Sequence, residues 1–431
     1  MNTSAKLALA AAVVGVAVVG IFLLRASGEM GQRSPPVVGP AGNGLVAYSS
    51  DGDIFVGDPL TGTSTAIVSG PSNDTVPVFS PDGLRIAFVR SESERATSIV
   101  VVRADGSDER VVMAEGFIPR SSMVLPGFAW TPDSTSLVLN HDSPTLGTEY
   151  FDGELSLFDA SGVAERRLIT PPLPAKIGWT YFGMSDSAAP MFRPPNGDQI
   201  LSYQGDVLSV VDIDGTQIEG FVPPSLTEFE PYSFGGPAWS RDGSMISFEL
   251  SSGGLFVMNA DGSDLRRFET DFVVEGRAWS PDGSKIALQK SVTVSGRGVC
   301  DADILGHSCR SVIAILDVET GAERVLDVTF AVIRDKADRA TDPDAFRTLS
   351  PRTYHRWAYE GWSWTPDGRS IVVLERHGTR PMVVDIETGL ATELPWTSES
   401  VVSWQRIAVD RTSRCASLRG SSSPGDASSG S

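Results

Sequence analysis

Five carboxylates recur in one local setting. Asp82, Asp133, Asp242, Asp282 and Asp367 each stand three residues after an aromatic side chain. The segments are Phe79-Ser80-Pro81-Asp82-Gly83, Trp130-Thr131-Pro132-Asp133-Ser134, Trp239-Ser240-Arg241-Asp242-Gly243, Trp279-Ser280-Pro281-Asp282-Gly283 and Trp364-Thr365-Pro366-Asp367-Gly368. A repeated aspartate invites acid–base or metal chemistry. Its neighbours argue for a turn: Pro fixes φ, Asp bonds back to the backbone, and Gly takes the left-handed position. The other groups with chemical potential are scattered. They are His141, His307, His355 and His377, the cysteines Cys300, Cys309 and Cys415, and the acidic pieces Asp51-Gly52-Asp53, Asp212-Ile213-Asp214-Gly215 and Asp301-Ala302-Asp303. None of those pieces continues to the twelfth-position Glu of a calcium loop. Gly183-Met184-Ser185-Asp186-Ser187 lacks the last Gly of a nucleophile elbow. There is no phosphate-binding glycine loop and no His-Glu-x-x-His. No catalytic residue, metal or cofactor is expected from these patterns.

The elements that carry the aspartates repeat as well. Each copy is followed by a short β-branched and apolar run: Arg85-Ile86-Ala87-Phe88, Ser136-Leu137-Val138-Leu139, Met245-Ile246-Ser247-Phe248, Lys285-Ile286-Ala287-Leu288 and Ser370-Ile371-Val372-Val373. Such runs suit a half-buried strand. A third strand then ends in a turn such as Ala104-Asp105-Gly106-Ser107 or Ala260-Asp261-Gly262-Ser263, and a fourth strand follows. A worn copy, Phe192-Arg193-Pro194-Pro195-Asn196-Gly197, and a truncated one, Ser403-Trp404-Gln405, complete the series. The aromatics, Trp404 included, are expected to fill the wedges between neighbouring sheets.

The repeated Trp-Ser-Pro-Asp-Gly with Ile-Ala-Phe behind it resembles the TolB-type, WD-like β-propeller over about residues 45–405. That resemblance implies an all-β propeller. Seven aromatic first strands imply seven blades, with six left open because relatives often have six. Six sheets are complete and start near 76, 127, 189, 236, 276 and 361. The seventh joins one C-terminal strand to three N-terminal ones, Leu45-Val46-Ala47-Tyr48, Asp53-Ile54-Phe55-Val56 and Ser64-Thr65-Ala66-Ile67-Val68. Closure of this kind hides two sheet edges.

In such a blade the first-to-second and third-to-fourth turns share one end of the disc, and here all of them are short. The long segments, about 114–126, 141–153, 171–188, 223–235, 291–310 and 330–360, belong to the other end. Long loops on a rigid scaffold are where binding sits. Tyr150, Trp179, Tyr181, Tyr232, His355 and Trp357 are the candidate binding residues there, set against the alternative that they pack the loops onto the disc.

Leu7 to Leu24 is an unbroken apolar run between Lys6 and Arg25. As a helix it is ~27 Å long, enough for a hydrocarbon core. It is read as a single transmembrane signal-anchor after a short cytoplasmic segment 1–6; a cleaved signal peptide, with secretion, is the alternative. A flexible Gly/Pro-rich stalk, 25–43, follows, then the propeller, 44–408, and a disordered Ser/Gly-rich tail, 409–431. Cys300 and Cys309 suit a disulfide-closed loop in an oxidising compartment, with a site of Cys300, Cys309 and His307 as the rival. The propeller is therefore placed on the extracytoplasmic side. The formal charge of −19 argues against a nucleic-acid partner. The resemblance to TolB implies non-catalytic recognition of a protein or peptide partner in the envelope. The alternatives are a sugar-binding surface, or a polysaccharide lyase or hydrolase at the central channel using His141, His355 or His377.

Overall fold

The structure is a computed structural model. It describes residues 40–93, 96–113, 128–140, 155–162, 167–169, 176–177, 192–195, 197–204, 207–212, 217–221, 234–250, 254–268, 274–293, 309–326, 361–374, 380–400 and 402–407. Leu7–Leu24 lies outside them. No helix among the described residues is long and apolar enough to cross a membrane.

The described strands form seven four-stranded antiparallel sheets. They are numbered here by the aromatic of the first strand. Sheet 1 is Asn73–Phe79, Arg85–Ser93, Ala96–Arg103 and Arg110–Met113. Sheet 2 is Phe128–Trp130, Ser136–Asn140, Leu155–Asp159 and Arg167–Ile169. Sheet 3 is Lys176–Ile177, Gln199–Gln204, Val207–Asp212 and Gln217–Phe221. Sheet 4 is Phe234–Trp239, Met245–Leu250, Leu255–Asn259 and Arg266–Phe268. Sheet 5 is Val274–Trp279, Lys285–Thr293, Cys309–Asp317 and Glu323–Leu326. Sheet 6 is Gly361–Trp364, Ser370–Leu374, Met382–Asp385 and Ala391–Glu393. Sheet 7 is Ser403–Ile407 followed by Gly42–Ser50, Asp53–Gly57 and Ser64–Val68. Its second strand begins at Gly42, so it takes in the last two residues of the segment read as a stalk. The reason is local: Ala41 N–H donates to Pro366 O (2.8 Å), and Asn43 Oδ1 accepts from Asp367 N–H (3.1 Å).

Each sheet buries both faces. In sheet 1, Ile86 and Phe88 point to a cluster shared with Ile54 and Val56 of sheet 7. Ala87 and Val89 point to one shared with Phe128 and Trp130 of sheet 2. The Ile86–Val89 run is therefore buried on both faces rather than on one, because the second strand is sandwiched between two neighbouring sheets, and the run is continuously apolar for that reason. Further clusters join sheets 3 and 4, 4 and 5, 5 and 6, and 6 and 7. Sheets 2 and 3 meet where Gly197 abuts Pro132. The packing thus returns from sheet 7 to sheet 1, and the class this defines is an all-β propeller.

The first strand of sheet 3 departs from the sequence reading. It begins at Lys176–Ile177, which pair with Tyr203 and Ser202, well before the expected start near 189. Phe192 then bridges to Ile200. In sheets 1, 4 and 5 the first strand carries a one-residue bulge before its aromatic, between Thr75 and Val78, Gly235 and Ala238, and Val274 and Gly276. In sheet 3, Ile177 and Phe192 bracket that same point, with residues 178–191 between them in the sequence. Bulges tolerate insertion because the ladder is already interrupted there.

Candidate functional site

The repeated aspartates sit in one hydrogen-bond pattern. Ser280 Oγ donates to Asp282 Oδ1 (2.6 Å) and accepts from Lys285 N–H (2.9 Å), while Ser284 N–H donates to Asp282 Oδ1 (3.0 Å). Ser80, Thr131, Ser240 and Thr365 do the same with Asp82, Asp133, Asp242 and Asp367. Burial pushes the Asp242 and Asp282 carboxyls upward. The hydroxyl and amide donors of Ser240 and Ser244, and of Ser280 and Ser284, outweigh it and hold both below the ordinary carboxylate range. A carboxylate held ionised by donors from its own turn serves as an acceptor, not as a general acid near neutral pH.

These turns also lock to one another. Ser134 Oγ accepts from Asp82 N–H (3.0 Å), so the turn of sheet 2 caps that of sheet 1. A side-chain carbon added at Gly243, where φ is 71°, would stand 2.6 Å from Pro194 O in the turn of sheet 3. Glycine is required there twice over, for its positive φ and for the space it leaves. A side-chain carbon at Gly83 would likewise stand 3.0 Å from Arg406 O and one at Gly368 3.3 Å from Pro281, whereas at Gly283 the nearest atoms, in the turn of sheet 4, are an ordinary 3.8 Å away.

An outer tier of contacts was not read from the sequence. Arg110 Nη1 donates to Ser161 O (2.7 Å), Arg266 Nη1 to Val318 O (2.6 Å), and Arg324 Nη1 to Ile386 O (3.0 Å) and to Glu387 O. Each arginine ties a fourth strand to the third-to-fourth turn of the next sheet. The available signal was a basic residue three or four places after the turn glycine. Between sheets 6 and 7 an indole replaces the guanidinium: Trp396 Nε1 donates to Gly62 O (3.3 Å).

Toward the long-segment end the first and second strands carry polar side chains. Arg277 Nη1 pairs with Glu249 Oε1 at 2.5 Å, the two side chains being 6% and 25% exposed. At the equivalent place one sheet on, Trp362 Nε1 donates to Gln289 Oε1 (3.0 Å), both residues buried. In sheet 1, Arg90 reaches Asp74 through two bonds of 2.9 Å and Glu109 through two of 2.6 and 3.3 Å. The hydrogen bonds from Asp74 and then Glu109 raise Arg90 further above its ordinary value. Shared carboxylates of this kind fix a guanidinium in place.

Tyr150, Trp179, Tyr181, Tyr232, His355 and Trp357 lie outside the described residues, as do all four histidines and Cys300. Cys309 opens a strand and its Cα is paired with Thr293. Among the described residues no group of three or more His, Cys, Asp or Glu could hold a metal ion. Asp51 and Gly52 form the turn between two strands of sheet 7, and Asp53 Oδ1 accepts from Gly70 N–H (3.2 Å). Two hollows open at the short-turn end and rim. One of about 370 Å³ is lined by Arg193, Ser244, Asn259, Ala260 and Asp261; one of about 530 Å³ includes Arg266, Phe268, Val318 and Glu319.

No protein-family model and no curated protein matches the sequence. Solved structures similar to it include TolB from Acinetobacter baumannii, at 15% identity over 84% of this chain and 66% of that one, with a TM-score of 0.44. This chain therefore spans just under two thirds of that TolB. An oligogalacturonate lyase from Vibrio parahaemolyticus is similar at 13% identity over 84% and 86%, with a TM-score of 0.45. A functionally unknown protein from Desulfotomaculum acetoxidans is similar at 12% identity over 84% and 99%, with a TM-score of 0.48. The propeller class stands on the strand pairing and packing described above, and no activity passes from these proteins to this chain.

Proposed function

We propose that the chain is a membrane-tethered, extracytoplasmic seven-bladed propeller that binds a protein or peptide of the cell envelope through its long-segment end. One observation carries this reading: the two ends of the disc are unequal. At one end neighbouring strands are joined by short turns, such as 80–84, 280–284 and 386–390, which interlock around the ring. At the other, 34 residues separate Leu326 from Gly361 and 15 separate Thr293 from Cys309. Interlocked turns leave little adaptable surface, whereas long segments on a rigid frame supply it. Leu7–Leu24 supports the tether and the cysteine pair supports the oxidising side.

Site-specific photo-crosslinkers test the reading in intact envelopes. Probes at Tyr181 and Trp357 are expected to trap a partner, and probes at Asp105 and Glu387 are not. With that partner purified, Trp179→Ala and Trp357→Ala should each weaken binding by about tenfold, roughly 1.4 kcal/mol. Adducts confined to Asp105 and Glu387 would overturn the assignment. So would stoichiometric metal that disappears when His141, His355 and His377 become Ala, if it accompanies cleavage of a polysaccharide.

A further inference from the structure

The chain enters and leaves the propeller at the short-turn end. Gly42 starts the strand that runs away from that end, Ile407 finishes the strand that runs toward it, and the two are Cα partners. The same end holds four of the six large apolar side chains that are exposed among the described residues. Leu60, 84% exposed, sits in the third-to-fourth turn of sheet 7, and Leu390, 72% exposed, in that of sheet 6. Leu84 in the first turn of sheet 1 and Ile407 itself are 40% and 41% exposed. The other large exposed apolar residues among those described, Val111 and Val325, lie on outer-edge strands. A lone exposed leucine needs no explanation. Here four of the six exposed large apolar side chains among the described residues fall on three consecutive sheets, at the end where both termini emerge.

We infer that this sector, the turns of sheets 6, 7 and 1, rests on the lipid surface of the membrane that holds Leu7–Leu24. The disc then stands on its interlocked turns, and its long-segment end faces away from the bilayer. This rests on the membrane-tether reading above. The reach of the tether fits. Residues 25–41 separate the apolar run from Gly42, and a flexible chain of that length spans roughly 20–25 Å. The strand at Gly42 therefore begins near the lipid on average. Leu60 and Leu390 have the side chains that settle at the boundary between headgroups and acyl chains. The net charge of −19 is repelled by anionic headgroups, so the contact is apolar and suits zwitterionic lipid.

The test uses the full chain in phosphatidylcholine vesicles, recovered by flotation. A genetically encoded fluorescent amino acid is placed singly at Leu60, Leu390 or Asn73, the last at the opposite end and exposed. With doxyl-labelled phosphatidylcholine present, emission at 60 and 390 is expected to be quenched and emission at 73 unaffected. Equal quenching at all three, or stronger quenching at 73, would overturn the orientation while leaving the tether intact. Failure of the chain to float would overturn the tether reading and this inference with it. Shielding of 60 and 390 that persists in detergent and grows with protein concentration would assign the sector to a second copy instead of lipid.

Discussion

Sheets 6 and 7 perform the same task with different chemistry. In sheet 6 the first two strands are joined by Thr365-Pro366-Asp367-Gly368, where Thr365 Oγ1 donates to Asp367 Oδ1 (2.8 Å) and accepts from Ser370 N–H (3.1 Å). In sheet 7 the chain has no such turn. Ser403–Ile407 runs on past Trp404 and pairs with Gly42–Ser50, and a bulge falls in the second strand, where Gly44 and Leu45 face Gln405. Gln405 fills the gap: Oε1 accepts from Leu45 N–H (3.3 Å) and Nε2 donates to Gly83 O (2.8 Å). Additional clasps surround it. Ser400 Oγ meets Ser49 Oγ at 2.7 Å, Ser403 Oγ accepts from Phe79 N–H (3.0 Å), and Trp396 stacks on Tyr48 at 5.2 Å.

The difference follows from loop closure. Gln405 and Leu45 are 360 residues apart, whereas the turn hydrogen bond of sheet 1 spans five. Closing the longer loop costs roughly 4 kcal/mol more by the logarithmic rule. Side-chain hydrogen bonds and aromatic stacking gather at this junction and offset that cost. A seam between chain ends therefore needs more specific contacts than a covalent turn.

The largest test removes the seam. Deleting residues 403–431 exposes the edge of Gly42–Ser50 and uncovers the wedge filled by Trp404. Loss of a single cooperative thermal transition is expected, and a transition like that of the intact chain would mean the seam is dispensable. Next come the wedge aromatics. Trp364→Ala should cost about 3–5 kcal/mol in denaturant unfolding, with Trp404→Ala close to it. The indoles then separate the two sheets. Trp364 Nε1 donates to Ala278 O (3.1 Å), whereas Trp404 Nε1 is buried and finds no hydrogen-bond partner among the described residues. Trp364→Phe should therefore lose about 1–2 kcal/mol by removing the indole donor from the half-buried Ala278 O, and Trp404→Phe much less. Equal losses would erase the distinction. Gln405→Ala, which strands Leu45 N–H and Gly83 O, is expected to cost about 1–2 kcal/mol.

Smallest is the effect of a single turn carboxylate. Asp282→Ala should cost about 1 kcal/mol or less at neutral pH. Asp242 and Asp282 titrate below their ordinary range in the folded chain. Their contribution is present above the unfolded carboxyl pKa of about 3.9 and is lost as pH falls through the lower folded values. A D242N/D282N double variant should accordingly lose less stability than the parent between neutral pH and strong acid, measured by unfolding across that interval. An unchanged acid limb would show that those hydrogen bonds do not bias ionisation.

Much of the architecture was legible because it is local. The hydroxyl, carboxylate and amides of Ser280, Asp282, Ser284 and Lys285 lie within five residues of one another, so their types and order specify the turn before any sheet packs. The orphan strand around Trp404 and the headless strands at Leu45, Asp53 and Ser64 declared the closure in the same way. The candidate binding residues were marked only by their place in long segments, and the described residues do not include them. What the tertiary structure alone decided lies between sheets. Arg110 meets Ser161 across 51 residues, Arg266 meets Val318 across 52, and Trp364 meets Ala278 across 86. No spacing in the chain announces such pairs, because each depends on how far two whole sheets twist before they touch. For the same reason Ala87 and Val89 could be read as strand residues, but not as a second buried face, until sheet 2 was seen to cover them.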